Sequence, residues 1–470
     1  MKNLKLLLVF LLMAQALWAQ KSNTITTSHF CYYRLQNYSG SRAVLYAMRG
    51  NQTIAIDTAR VQLNSFVFSN IERYPAGMYR ISFNDSLFTE VIFNNEDIVL
   101  EADANNVLYT MKVKQSEENK ILFNYWIYAM KVRDSINHVR FEREKLKNIG
   151  QMTSKKKRAF ENRIDVLNNR LSNYIEDKAT NNPDLFAPII LRSYLIPSYR
   201  QFLKDPDNEA YPTERLFYLY HFFDNIDFRD ARLLNTRIIY TAISDYMSTF
   251  AKPAKTAVYN DIIDRVMGYA KVNEAVYQYA LNLFIQAFEN TLWENVFVHL
   301  IETYYFNSYA YNPDQGAYYK KKIETIKQLK PGKKMPNVTL RDTSNNEVSL
   351  YSVQAKVKMV LIYSSDCSHC REVMPDILEI YEAYHSEGFE IYAIAIDDSL
   401  DMWKDEINRF HFPWVSVSDL KGLSSPIIDN YNVWMTPMMF MLDEKNIIMN
   451  KPRGMEDIHA TILQLLKMKK

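Results

Sequence analysis

The chain has 470 residues, 48% of them hydrophobic, which is enough for roughly three domains with sizeable cores. Its 56 Lys and Arg against 54 Asp and Glu leave a formal charge of +2, so the balance gives no reason to expect nucleic acid or an anionic membrane surface as a partner. Three cysteines are too few for a disulfide scaffold.

The N-terminus, MKNLKLLLVFLLMAQALWAQKS, has the form of a secretory signal over residues 1–19. Lys2 and Lys5 make a positive start, Leu6 to Met13 an apolar run too short to span a bilayer, and Ala19 a cleavage point, with Ala16 as second choice. No cysteine near the cut suggests a lipid anchor, and no later window reaches about 18 uninterrupted apolar residues. The expectation is an exported chain without a membrane span, in the periplasm, where disulfides persist and thiols need a supply of electrons.

Residues 24–114 read as β structure. RAVLYAM, QTIAIDTARV, NSFVFSN, GMYRISF, FTEVIF and DIVLEAD are short, alternating and rich in β-branched or aromatic residues, and turn formers separate them. That spacing predicts a small antiparallel sandwich. Cys31, alone among aromatics in HFCYY, reads as a small buried residue without chemistry.

From 115 to 330 the apolar period changes to threes and fours, which predicts an irregular α-helical domain. ENKILFNYWIYAMKVRDSINHVRFEREKLKN is one helix, Gly150 breaks the pattern, and KKKRAFENRIDVLNNRLSNYIEDKA is the next. The basic run Lys155 to Arg158 lies among glutamates and reads as a solvated helix face. Further helices include TERLFYLYHFFDNI and the long apolar stretch from Asn273 to Phe306. There is no clean internal repeat.

Pro331-Gly332 makes a break, and residues 331–470 change character again. The predicted order is strand, strand, CxxC, helix, strand, helix, strand, strand, strand, helix. VKMVLIYSS and FEIYAIAID are continuous apolar runs suited to buried strands, and REVMPDILEIYEAYHSEG is an amphipathic helix ending at Gly388. The expected fold class is therefore multidomain α+β and α/β.

Cys367 and Cys370 fall where the strand ends and the helix begins. The unpaired N–H groups and partial positive charge of a first helical turn stabilise a thiolate, the form that attacks disulfides. Two intervening residues let both sulfurs meet across one turn. Cys367 is then the exposed attacking sulfur and Cys370, one turn in, the resolving one. His369, if protonated, favours the Cys367 thiolate, whereas the charge of Asp366 opposes it.

Other readings stand beside the redox one. Zinc wants four ligands, and there is no second CxxC or paired-histidine motif. A structural clip over so short a loop restrains the unfolded chain little. A peroxidatic cysteine calls for a threonine three residues before it and a proline four before that, where Ser364 and Val360 stand.

On these motifs the C-terminal part resembles the thioredoxin-like family, specifically the TlpA/ResA-type thiol-disulfide oxidoreductases. PGKKMPNVTLRDTSNNEVSLYSV is similar to that family's entry hairpin, VKMVLIYSSDCSHCREVMP to its active-site strand and helix with Pro375 at the kink, and YNVWMTPMMFMLDEKNIIMN to its cis-proline stretch and following hairpin. The resemblance implies a thioredoxin fold and a cis Thr436–Pro437 bond facing the cysteine pair. It also implies no cofactor beyond a redox-active disulfide, a protein thiol or disulfide as substrate, and a membrane electron donor or acceptor as partner. The chain departs from the family at Asp366, where tryptophan is usual, at Ser368-His369 between the cysteines, at Val373, where a proton-shuttling glutamate often stands, and at Met438. The β-rich region resembles the small domain often attached ahead of such modules.

The expected function is thiol–disulfide exchange through Cys367 and Cys370, tuned or approached by Asp366, Ser368, His369, Thr436 and Pro437. The alternative is an envelope binding protein that carries a passive or regulatory thioredoxin-like module. A thiolate metal carrier is a third.

Overall fold

A computed structural model describes residues 28–204 and 211–467. The signal-peptide reading of residues 1–19 lies outside them. The chain forms two compact units, one running to residue 252 with 268–277, the other made of 253–267 and 278 onward. The helical middle thus contributes to both.

In the first unit, eight strands form two four-stranded sheets. One has the order β4 (Ser65–Ser69), β1 (Phe30–Gln36), β7 (Ile98–Asp103), β8 (Lys112–Gln115). The other runs β3 (Gln52–Arg60), β2 (Arg42–Arg49), β5 (Gly77–Ser82), β6 (Phe88–Phe93). Period-2 burial turns Cys31, Tyr33 and Leu35 of β1 inward against Leu45, Ile81 and Val91 of the other sheet, which makes one core. Cys31 is fully buried, and burial pushes its thiol up to about 12.

The sandwich is not wholly antiparallel: β1 pairs with β7 in parallel, Cys31 opposite Ile98. Alternation fixes which face of a strand is buried but says nothing of its partner's direction, which depends on how the chain returns after β2 to β6.

Two long helices follow, Glu117–Asn148 and Ser154–Asn181, capped by the side chains of Ser116 and Thr153. Lys155 to Arg158 are exposed. The buried Glu118 carboxylate accepts the backbone N–H groups of Phe186 and Ala187 at 2.8 and 2.6 Å, which caps the next helix, Phe186–Arg192.

The apolar stretch after Asn273 is not one helix. It divides into Glu274–Phe288 and Glu294–Leu300, continued by a π-helical turn over Ile301–Tyr305. The break is local chemistry. The Thr291 hydroxyl donates to the Phe288 carbonyl at 2.9 Å and accepts the Trp293 N–H at 3.2 Å, which draws both groups out of the helical ladder.

The second unit is built on a five-stranded sheet ordered β13 (Val415–Val417), β12 (Phe389–Ala395), β11 (Val357–Tyr363), β14 (Met438–Asp443), β15 (Ile448–Asn450). Its entry hairpin, β9 (Thr339–Arg341) with β10 (Glu347–Ser349), forms a separate two-stranded sheet, so three strands rather than two precede the cysteines. All seven residues of β11 are buried because both faces are covered. Met359, Leu361 and Tyr363 pack towards the helices Ser368–Tyr384 and Met455–Leu465, while Val360 and Ile362 pack with Tyr392, Phe440 and Tyr431 on the other side. The cysteine helix ends in a short 3-10 turn at Gly388, whose φ of +108° suits glycine.

Candidate active site

The site lies at the carboxyl end of β11. The strand leads into Ser364, Ser365 and Asp366, and Cys367 is the N-cap of the Ser368–Tyr384 helix. Its sulfur accepts the backbone N–H of Cys370 at 3.1 Å, the bond a serine or asparagine cap would make. Cys370, one turn in, is 1% exposed. Both cysteines are drawn as free thiols.

β11 and β14 are antiparallel with Ile362 opposite Met438, and this register brings the stretch before Met438 across from the cysteine turn. The Thr436–Pro437 bond there is cis, and the Thr436 carbonyl accepts from the Cys367 thiol at 3.4 Å. The two sequence segments therefore meet at one sulfur.

The surroundings split the two thiols. Burial raises the Cys367 pKa, but hydrogen bonds with the side chains of Cys370 and Thr436 and with the backbone N–H groups of Cys370 and His369 outweigh it and hold the group below its ordinary value of 9.0. For Cys370 burial dominates. With the hydrogen bond to Cys367 it pushes the thiol up to about 12, against an opposing backbone hydrogen bond from Ser364. A half-buried low-pKa sulfur beside a buried high-pKa one can act in sequence, the first attacking and the second resolving.

The remaining sequence candidates take distinct places. The His369 ring faces Glu372, Nδ1 to Oε2 3.3 Å, on the exposed side of the helix. It reaches Cys367 through its backbone N–H. Asp366 is exposed, and solvent screens its charge; its backbone N–H donates to the Ser364 hydroxyl at 3.3 Å. Ser368 is exposed in the first helical turn. Val373 is packed against the core below Cys367.

A buried polar brace beneath the cysteine turn has no counterpart among the sequence candidates. Asp397, just past β12, is 6% exposed and accepts the Ser365 N–H at 3.0 Å, the Ser365 hydroxyl at 2.9 Å and the Ser364 hydroxyl at 3.3 Å. Burial raises its carboxyl pKa although these bonds oppose the rise. Arg371 donates to the Ser365 carbonyl and, from Nε at 3.2 Å, to Glu406. The available signal was the carboxylate closing the apolar run FEIYAIAID, on the strand beside β11.

A thioredoxin-like sheet with a CxxC pair at the mouth of its first helix, facing a cis-proline turn, defines the class of the C-terminal region: a thiol-disulfide oxidoreductase-like thioredoxin domain. Residues 331–451 match the model of the AhpC/TSA family, and residues 154–337 match a domain of unknown function, DUF5106. Among curated proteins the chain is similar to the thiol-disulfide oxidoreductase ResA of Bacillus cereus, 25% identical over 127 residues, which is 27% of this chain and 72% of that protein. It is similar to ResA of Bacillus subtilis, 23% identical over 132 residues, 27% of this chain and 69% of the relative. Among solved structures, a thioredoxin-like protein from Bacteroides caccae aligns over 58% of this chain and 98% of its own, with 19% identity and a TM-score of 0.45. No helix among the described residues is long and apolar enough to cross a membrane.

Proposed function

We propose that the chain is an exported thiol-disulfide oxidoreductase whose redox centre is the Cys367–Cys370 pair, with no further cofactor. The observation that supports this most is the asymmetry of the two sulfurs, one accessible with a lowered pKa and one buried with a raised pKa.

In the reducing direction the Cys367 thiolate attacks one sulfur of a substrate disulfide. A Cys367–substrate S–S bond forms, the substrate S–S bond breaks, and the leaving sulfur departs as thiolate and takes a proton from water. Cys370 then gives up its proton to water and attacks the Cys367 sulfur. The internal disulfide closes and the second substrate thiol is released. Two electrons pass from the pair to the substrate. A further exchange with an external dithiol, at a membrane electron donor, restores the reduced pair. The same steps run backwards oxidise a substrate dithiol.

Asp366 and Ser368 border the attacking sulfur, His369 tunes it through its backbone N–H, and Thr436 with Pro437 presents backbone to the incoming segment. The test is turnover of insulin disulfides. Cys367→Ser is expected to abolish it, and Cys370→Ser to accumulate mixed disulfides on Cys367. Turnover surviving in Cys367→Ser contradicts the assignment.

A further inference from the structure

Wholly within the first unit lies a cavity of about 870 Å³, a size ordinary for small-molecule sites, which the redox chemistry does not use. Its floor is the outer face of the sheet that holds β2, β5 and β6. Period-2 alternation sends Tyr79 and Val91 into the sandwich core and leaves Met78 and Glu90 on the opposite face. Met78 is nevertheless only 4% exposed. The helices Glu214–His221 and Ile238–Phe250 and the segment 193–197 make the remaining walls.

More than half of the lining residues are apolar, and four are aromatic: Tyr194, Tyr218, Phe222 and Phe250. Tyr194 is 42% exposed, yet burial is the main cause that pushes its phenol up, followed by the charge of Glu90. A ring surrounded by protein and still in contact with open space is one that lines a deep cleft.

Five charged residues join the lining, and most of their bonding is internal. Glu90 accepts from Arg80 Nη2 at 2.7 Å. Arg215 donates to the carbonyls of Thr249, Phe250 and Lys252 at 3.0, 3.2 and 3.2 Å, which closes the end of the helix Ile238–Phe250. Arg237 donates to the Thr53 hydroxyl, outside the lining, at 3.3 Å. Glu214 and Asp245 are exposed, and among the described residues neither has a side-chain hydrogen bond or an ion pair. The charge left open to a ligand is thus two carboxylates against the remainder of one guanidinium.

Open carboxylates beside aromatic rings favour an organic cation. The electron-rich ring faces attract an ammonium group, the carboxylates add their Coulomb attraction, and the apolar floor takes the attached hydrocarbon. An anionic amphiphile meets the same floor and the wrong charge.

We propose that this cavity binds an amphiphile with a cationic ammonium head and an apolar body. Its helical walls fall within the DUF5106 match, to which the redox reading gives no role, and the proposal stands independently of that reading.

The test is calorimetric titration of the full chain with decyltrimethylammonium and with decanesulfonate, each below its micelle concentration, so that two heads are compared on one tail. The ammonium is expected to bind saturably, one to one, and about tenfold more tightly than the sulfonate. Joint Glu214→Gln and Asp245→Asn substitution is expected to weaken the ammonium about tenfold and leave the sulfonate no weaker. Both positions are exposed, so the unliganded double variant should melt with wild type, which separates a lost site from a lost fold. Thr241→Trp, at another exposed lining position, fills the cavity and should weaken both amphiphiles. Ammonium binding that fails to saturate, is no tighter than that of the sulfonate, or is unchanged in the double variant or in Thr241→Trp overturns the site.

Discussion

The Cys367 sulfur accepts the backbone N–H of Cys370 at 3.1 Å, so the residue that caps the helix is also the one presented to the Thr436 turn. Capping and nucleophilicity have a single cause. The unpaired N–H groups of a first helical turn satisfy a sulfur lone pair and favour its negative charge.

That relationship sets the pH dependence of alkylation. A lowered acid pKa means more thiolate at neutral pH, and a raised one means less. Iodoacetamide is expected to modify Cys367 of the reduced chain with a midpoint below 9.0, while Cys370, pushed up to about 12, stays unreactive through the neutral range. Peptide mapping of the label after timed quenches at several pH values checks this. Equal labelling of the two cysteines at pH 7 contradicts it.

The Asp397 brace makes a second prediction. Asp397→Ala leaves the Ser365 N–H and two hydroxyls without their acceptor in a buried setting, at a cost of about 1–3 kcal/mol. Asp397→Asn keeps one acceptor oxygen and is expected to lose less. Thermal unfolding should rank wild type above Asn and Asn above Ala. The Ala variant should also hold its mixed disulfides longer, since Ser364 bonds to Cys370. An Ala variant as stable as the parent removes the brace from the description.

Lys358, the second residue of β11, is 2% exposed and donates to the Leu350 carbonyl at 3.0 Å and to Asn446 Oδ1 at 2.7 Å. Burial lowers its pKa from 10.5 to about 8. The unfolded chain then binds this proton more tightly than the folded one. The penalty is full below about pH 8 and fades as pH rises towards 10.5. Melting temperatures of wild type and Lys358→Met, taken from pH 7 to 10.5, should therefore shift against each other by a few degrees in favour of wild type. A constant offset contradicts a titrating Lys358.

The site was legible in the sequence where its parts are local. Cys367 and Cys370 announce themselves by spacing, β11 and β12 by unbroken apolar runs, and the Thr436–Pro437 turn by family resemblance. What the sequence hid depends on long-range pairing. Asp397 lies 32 residues from Ser365, and the Glu294 carboxylate accepts from Asn432 and Lys451 across 138 and 157 residues. Nothing in local composition links such residues. The parallel β1–β7 pair was hidden for the same reason. The break at Thr291 was local but masked, because the apolar period continues on both sides of it.

The central claim is that Cys367 and Cys370 act as one two-electron couple, and its most direct test is a thiol count. The reduced full chain is incubated with a disulfide substrate, quenched with an alkylating reagent, and each cysteine is mapped by mass spectrometry. The expected result is paired loss of the Cys367 and Cys370 thiols to one internal disulfide, with Cys31 kept as a thiol. No thiol loss, or a substrate left permanently attached to Cys367 while Cys370 remains free, contradicts the claim.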